Sequence, residues 1–435
     1  MATITAFKGL RYNTEKVSNL TAVVTPPYDI IDDAAQAKYY AQHPANIIRL
    51  ELGMIFPKDT AANNRYTRAA QYLEKWLEDE ILLQEIKPAL YLYQQEFVNG
   101  DKKFVRTGFI CGLKVEDYQT GNVLPHEETL SKPKADRLQL MKATHSNFSS
   151  IFGLYSDPEH SIDKLLLTQT ATCQPDIDII DENNESHKIW AVTDEAIIKQ
   201  VVDFIAGKKI FIADGHHRYE TALEYARQMK EQGYKGYDYV MTTLVNLYDE
   251  GLVVLPTHRV AAGLGKLSMT TLKKQLAPLF DIKSLGHKDA LNILEQEMAD
   301  APRDKHMFGM YTFNGELLLL TLKDTKEAAR LLPAEKSTAW KDLDVAILDN
   351  IILDQTLGID EVARRNQENL AYTHSQEWVI EQVDNKNYQL GFIINPTRVQ
   401  QVVDVAEAHD KMPQKSTYFY PKLITGLIIN DLEAK

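Results

Sequence analysis

KKIFIADGHHRYETALEYARQMKEQGY, residues 208–234, changes character in its middle. Ile210, Phe211 and Ile212 form a short apolar run of the kind that makes a buried strand. Asp214 and Gly215 signal a turn, and Tyr219, Ala222, Leu223 and Ala226 then recur on one face of a helix that runs to Gly233. This order puts Asp214, Gly215, His216, His217 and Arg218 at a helix N-terminus. Free backbone N–H groups and the helix dipole favour phosphate or carboxylate there, Gly215 permits close backbone approach, and Arg218 adds a bidentate cation. A metal is the competing reading of Asp214, His216 and His217. Adjacent histidines on one turn point in different directions, however, and the i, i+4 histidine pair of zinc helices is absent. A capped turn with solvated histidines is the third reading. Five successive polar or glycine residues between strand and helix favour the anion site.

A chain of 435 residues is too long for one ordinary core, so two or three domains are expected. The apolar fraction of 44% is that of a soluble globular protein. No run of about 18 apolar residues occurs, and MATITAFKGLRYNTEK at the N-terminus lacks a signal-peptide core. A cytoplasmic protein without membrane contact is the expectation. Two cysteines, Cys111 and Cys173, exclude a disulfide framework and a cysteine-based zinc site, and read as buried thiols. The net charge of −13, with no basic block, argues against nucleic acid as the main partner. Small anionic ligands need only a few positioned cations. Assembly into a homo-oligomer stays open.

Period and turn signals predict a mixed α/β fold. NNRYTRAAQYLEKWLEDEILLQ places Ala69, Leu73, Trp76 and Leu77 at helical spacing. From 88 to 117, two β-rich runs flank Asn99-Gly100-Asp101 and read as a hairpin. A helix from about Pro133 to Thr144 and a strand at 151–155 follow. Residues 157–207 read as an excursion ending in the helix DEAIIKQVVDFIAG, and 239–261 as a strand pair around Asp249-Glu250-Gly251. The expected domains are an N-terminal α/β segment (1–90), a core (91–263) with an insertion near 157–207, an additional α/β domain (264–385) without evident chemistry, and a C-terminal segment (386–435) returning to the core.

Two further clusters carry chemistry. In LPHEETLSKPKADR, His126, Glu127 and Glu128 follow a proline, and Lys132, Lys134, Asp136 and Arg137 come within a dozen residues. A carboxylate within hydrogen-bond reach of a substrate hydroxyl acts as general base. The bland alternative is an acidic entry to a helix with a solvated charged face. In MPQKSTYFYPK, Lys415, Ser416 and Thr417 suit a phosphate or a metal-bound nucleotide, although the glycine loop of a Walker A motif is absent. PPYD with Asp29 and PTHR with His258 and Arg259 read more weakly, as strand ends with turn prolines.

Together these motifs carry a resemblance. IADGHHRYETAL resembles the nucleotide-phosphate box of the ParB/sulfiredoxin superfamily, and its Asp-Gly-His-His-Arg form is most similar to the free serine kinases of that superfamily, which also carry a PHEE segment. PPYDII, HPANIIRLELG, HEETLSKPKADRL, ADGHHRYETA and MPQKSTYFYPK resemble, over nearly the full length, an uncharacterised prokaryotic ParB-like domain-of-unknown-function family. The resemblance implies a ParB/sulfiredoxin-like nucleotide-binding core and an ATP- or ADP-dependent kinase of a small hydroxyl substrate, free L-serine first. It implies Glu127 as base, with Glu128 as the alternate and His126 and Asp214 beside them. It also implies that Asp214, Gly215, His216, His217 and Arg218 hold the nucleotide phosphates and Mg²⁺, Asp214 as metal ligand, with Arg137, Lys415, Ser416 and Thr417 supporting. A ParB-type nucleotide-gated DNA or protein binding module and a phosphoserine phosphatase are the alternatives. The chain departs from the serine kinases in the 88 residues between positions 126 and 214 and in its extra C-terminal unit. Sulfiredoxin chemistry is excluded, because His216 stands where the reactive cysteine is needed.

Overall fold

The Asn99-Gly100-Asp101 signal becomes the tight turn of the largest sheet. In the computed structural model, which describes residues 1–129 and 131–433, Leu90–Asn99 (β1) and Lys102–Lys114 (β2) pair antiparallel from Tyr91↔Ile110 to Asn99↔Lys102. Gly100 supplies the positive φ, +60°, that the turn needs. The fold is mixed α/β, and the chain divides into two compact units. The first comprises 1–125, 129–253 and 421–435, and the second 126–128 and 254–420.

The sheet of the first unit continues with Val123–Leu124 (β3), Ile151–Tyr155 (β4), Ile177–Ile180 (β5), Ser186–Val192 (β6), Ile210–Asp214 (β7) and Tyr239–Asn246 (β8). Its order is β3-β7-β4-β8-β2-β1-β6-β5, and Ile4–Thr5 pairs with the end of β2. The β7–β3 and β4–β8 pairs are parallel and the others antiparallel. The stretch 157–207 is therefore not a looped-out insertion: it supplies β6, which pairs with β1, and the edge strand β5 beyond it. Arg65–Glu78 (α1) buries Ala69, Leu73 and Trp76, as its spacing predicts, beneath a box in which Asn64 and Thr67 cap each other. Ser131–Thr144 (α2) matches the predicted helix. Glu195–Ile205 (α3) starts at Asp194, whose carboxylate accepts from the backbone N–H of Ala196 and Ile197, and it buries Ile197, Val201 and Ile205 at i, i+4 spacing. These side chains join Phe109, Cys111, Leu244 and the face of His216–Glu231 (α4) in one core. Each large apolar side chain so buried contributes about 1.5–3 kcal/mol. Cys173, unlike Cys111, is exposed, because it lies in the turn after Ser161–Thr170 rather than in a strand.

The second unit is built on six strands, His258–Ala261 (β9), Phe280–Gly286 (β10), Met307–Thr312 (β11), Leu317–Leu322 (β12), Leu370–Thr373 (β13) and Leu390–Ile394 (β14), in the order β10-β12-β11-β14-β9-β13. Leu291–Ala299 (α5) and Gln376–Asp384 (α6) supply Leu294, Met298, Val379 and Val383 to its core. Two boundary expectations change. The runs around Asp249-Glu250-Gly251 do not form a hairpin, because β8 joins the first sheet and β9 the second. The turn is closed instead by Asp249, whose carboxylate accepts from the Gly251 N–H at 2.8 Å and the Thr107 N–H at 3.1 Å. Likewise 386–435 is not one segment, since β14 pairs with both β11 and β9 and only 421–435 returns to the first unit.

His306 predicts the pH dependence of this unit. Its Nδ1 lies 2.7 Å from Asp344 and its Nε2 3.3 Å from Asp342. Burial works against the charged ring, but the two carboxylates outweigh it and raise the pKa from 6.5 to about 9. A pKa raised on folding stabilises fully below the unfolded value and is lost as pH rises through the folded one. The shift is at most about 3 kcal/mol, less after allowance for the half-exposed Asp342. Between pH 7 and about 9.5 the wild-type Tm falls more steeply than that of His306→Gln. Parallel Tm–pH curves would remove His306 as the cause.

Candidate functional site

At the turn between β7 and α4, Gly215 takes φ +92° and ψ 27°, in the left-handed region that favours glycine. Arg218 folds back over this turn. Its Nη1 donates to the Ser150 carbonyl at 2.6 Å and its Nη2 to Asp214 Oδ2 at 2.8 Å. The other oxygen, Asp214 Oδ1, accepts from Lys422 Nζ at 2.6 Å. The Arg218 and Lys422 side chains are only 10% and 13% exposed, so these pairs are shielded from solvent. Two cations thus meet one carboxylate beside a helix N-terminus, where the helix dipole also favours an anion. The helix is rigidly seated: Tyr219, Ala222, Tyr225 and Met229 are buried, and Tyr219 Oη both donates to the Glu116 carbonyl and accepts from its N–H, each at 2.9 Å. His216 is buried and His217 half-buried.

Residues from three of the sequence landmarks, Glu51, Arg137 and Arg218, come together within this unit. Glu51, Arg137, Ser149 and Arg218 line one cleft of about 40 Å³, room for a small polar group and not for a nucleoside. Arg137 donates to the Glu51 carbonyl at 2.8 Å, sits 3.3 Å from its Oε1, and bonds Asp136 Oδ2 through Nη2 at 2.6 Å. Ser149 Oγ donates to the same Glu51 oxygen at 2.8 Å. The Arg137 guanidinium lies 4.1 Å above the Tyr28 ring. Burial raises the Tyr28 hydroxyl to about 12, opposed by Arg137 and Arg218. Burial also opposes ionisation of Asp136, but Arg137, Tyr66 and Arg65 outweigh it and hold its carboxyl below the usual range. Arg137 therefore spends most of its donors on Glu51 and Asp136, which makes it a scaffold for the cleft.

The segment His126–Glu128 belongs to the second unit, together with Lys415, Ser416 and Thr417. The PHEE and KST motifs meet there. His126 Nε2 lies 3.0 Å from Thr417 Oγ1, its carbonyl accepts from the Met412 N–H at 2.8 Å, and its ring meets Phe419 edge-on. Glu127 Oε1 is 3.9 Å from His126 Nε2. Glu128 is exposed, 3.6 Å from Arg365, and lines a cleft of about 190 Å³ with Lys336, Asp349, Arg364 and Lys411. Ser416 is buried and donates to the Pro413 carbonyl at 2.5 Å, whereas Lys415 is exposed, with φ +57°. Lys422, Tyr28, Glu51, Ser149 and Ser150 were not singled out by sequence. Of these, Lys422 stood in plain view as the last residue of MPQKSTYFYPK.

The family described as "Protein of unknown function (DUF1015)" matches residues 4–346. The chain belongs to this family. Among solved structures it is similar to a conserved hypothetical protein from Pyrococcus furiosus, with 11% identity, TM-score 0.34, and coverage of 75% of this chain and 97% of the other. It is similar to a free serine kinase in complex with AMP, with 11% identity, TM-score 0.35, and coverage of 75% and 93%. It is also similar to C-terminally truncated SbnI from Staphylococcus aureus, with 9% identity, TM-score 0.34, and coverage of 74% and 89%. Likeness at this level settles neither ligand nor reaction. A comparison with curated proteins gives no match. Among the described residues, no helix is long and apolar enough to cross a membrane.

Gly215→Ala tests the turn. A Cβ there would lie 3.0 Å from the Arg218 guanidinium, on a backbone with φ +92°. The left-handed conformation costs an L-residue about 1–2 kcal/mol, and Arg218 must shift as well. The expected result is a lower Tm together with weaker anion binding; an unchanged Tm would show that the turn relaxes freely.

Proposed function

We propose that this chain is a nucleotide-dependent phosphotransferase acting on a small hydroxyl substrate, with free L-serine the first to test. The observation that carries the reading is the convergence of Arg218 and Lys422 on Asp214 at the N-terminus of α4. Phosphoryl transfer needs chiefly positioning and charge neutralisation, and a shielded pair of cations at a helix N-terminus supplies both. In this reading the backbone around Gly215 to His217 and the Arg218 fork receive the phosphates of ATP or ADP. Lys422 stands ready to move from Asp214 onto the phosphate. Glu127 accepts the proton of the substrate hydroxyl. Mg²⁺ would arrive on the nucleotide phosphates, as a hard cation that retains several waters. Asp214 is the carboxylate that fits it, once one of the two cations now on its oxygens moves aside. The ion's contribution when bound is to neutralise developing phosphoryl charge.

The test incubates the protein with Mg²⁺, ATP or ADP, and L-serine, and follows phosphoserine by mass spectrometry. Phosphoserine formation dependent on nucleotide is the expected result. Absence of product with every small hydroxyl amino acid, together with tight DNA binding at physiological salt, would overturn the reading in favour of a ParB-type binding module. Release of phosphate from phosphoserine without nucleotide would make the chain a phosphatase.

A further inference from the structure

The hairpin that joins β5 to β6 turns through Asp181, Glu182, Asn183, Asn184 and Glu185, with Asn184 at φ +62°. Asp181 Oδ1 accepts from the N–H groups of Asn183 and Glu185, both at 2.9 Å, which fixes this carboxylate within the turn. Its second oxygen, Oδ2, lies 3.5 Å from Nε2 of His187. His187 is fully buried, and its Nδ1 sits 2.8 Å from Tyr93 Oη. Nε2 is buried too and makes no hydrogen bond, since 3.5 Å exceeds the ordinary N–H···O range. Glu185, immediately before β6 and two residues before His187, is also buried. One ligand atom from each of the three side chains lies within 4.8 Å of the others.

We propose that Asp181, Glu185 and His187 form a binding site for a divalent transition-metal ion of the zinc class, separate from the Asp214 site and independent of the function proposed for it. The spacing of His187 Nε2 and Asp181 Oδ2 is that of metal ligands: two atoms about 2.1 Å from a tetrahedral ion stand about 3.4 Å apart. The 3.5 Å gap between Nε2 and Oδ2, too long for a good hydrogen bond, matches it. The donor set also selects the ion. An imidazole nitrogen with two carboxylates suits Zn²⁺ or its neighbours and disfavours Ca²⁺, which takes oxygen ligands. Tyr93 completes the arrangement as the group that orients the ring through Nδ1, the role that a metal-bound histidine's other nitrogen regularly requires. The buried Arg106, which donates to Gln95 and to the Pro421 carbonyl, places a positive charge near both Glu185 and Tyr93. Three protein ligands leave coordination positions for water. The bound ion would lock the edge hairpin to β1.

The test uses untagged full-length protein, stripped with a chelator and titrated with Co²⁺, whose visible ligand-field absorption reports coordination directly. Wild type is expected to bind one Co²⁺ with such bands, to lose them on addition of Zn²⁺, and to rise in Tm with Zn²⁺. His187→Gln and Asp181→Asn should each weaken Co²⁺ binding at least 100-fold, and Tyr93→Phe by about 10- to 100-fold. Asp181→Asn keeps the acceptor that closes the turn, so it carries the test if His187→Gln fails to fold. Wild type that shows no ligand-field bands, or an Asp181→Asn protein that binds Co²⁺ as tightly as wild type, overturns the proposal.

Discussion

Glu127→Gln should leave nucleotide binding close to wild type and lower the rate of phosphoserine formation by about 10²- to 10⁴-fold, the contribution of a positioned general base. Gln keeps the size and hydrogen-bonding reach of Glu but cannot take the hydroxyl proton. The side chain is 34% exposed, so a folding defect is not expected to confuse the result. Calorimetry for the nucleotide and a turnover assay for phosphoserine separate the two effects. Glu128→Gln is the matched comparison, since Glu128 is exposed and pairs with Arg365. Loss of turnover in Glu128→Gln, with Glu127→Gln active, would move the base by one residue. Full activity in both would remove the carboxylate base from the mechanism.

Arg218→Ala acts on binding. It removes the donors to Ser150 and Asp214 and leaves the Lys422 pair on that carboxylate in place. One guanidinium is lost from the site, and nucleotide affinity is expected to drop at least 100-fold, about 3 kcal/mol, the scale of one or two charge-assisted hydrogen bonds. Stability should fall as well, because breaking a largely buried pair costs up to about 3–5 kcal/mol, with the upper end reserved for full burial. Arg218→Lys distinguishes the two effects. It keeps the charge and loses the planar fork, so it should recover part of the Tm but little of the affinity. Wild-type affinity in Arg218→Ala would show that the phosphates bind elsewhere.

The strand–turn–helix at 208–234 was legible because all its signals are local: three apolar residues, one glycine with positive φ, and an apolar face at helical spacing. The Asn99-Gly100 hairpin was legible for the same reason. Lys422 was not, although it lies in a motif that drew notice, because its partner is 208 residues earlier and nothing in period or composition encodes such a pairing. The Lys-Ser-Thr triplet belongs to the second unit, whereas the lysine five residues beyond Thr417 belongs to the first. Glu51 and Tyr28 escaped notice because a buried Glu in an apolar run and a Tyr after two prolines look like ordinary surface and turn residues until Arg137 is placed beside them. Residues 157–207 read as an excursion because their strands are short and partly exposed, β5 being an edge strand whose residues are alternately buried and exposed.

The Asp214–Lys422 pair also sets an order of events during synthesis. At about 5–20 residues per second a ribosome needs about 10–40 s to travel from one to the other. The full interval is set by the 208 positions that separate them. A chain that has not yet reached Lys422 lacks the ion pair that this lysine makes with Asp214. A nascent or prematurely terminated chain ending before Lys422 is thus expected to be a poor nucleotide competitor. In the proposed reading, anion affinity rises once Lys422 can reach Asp214.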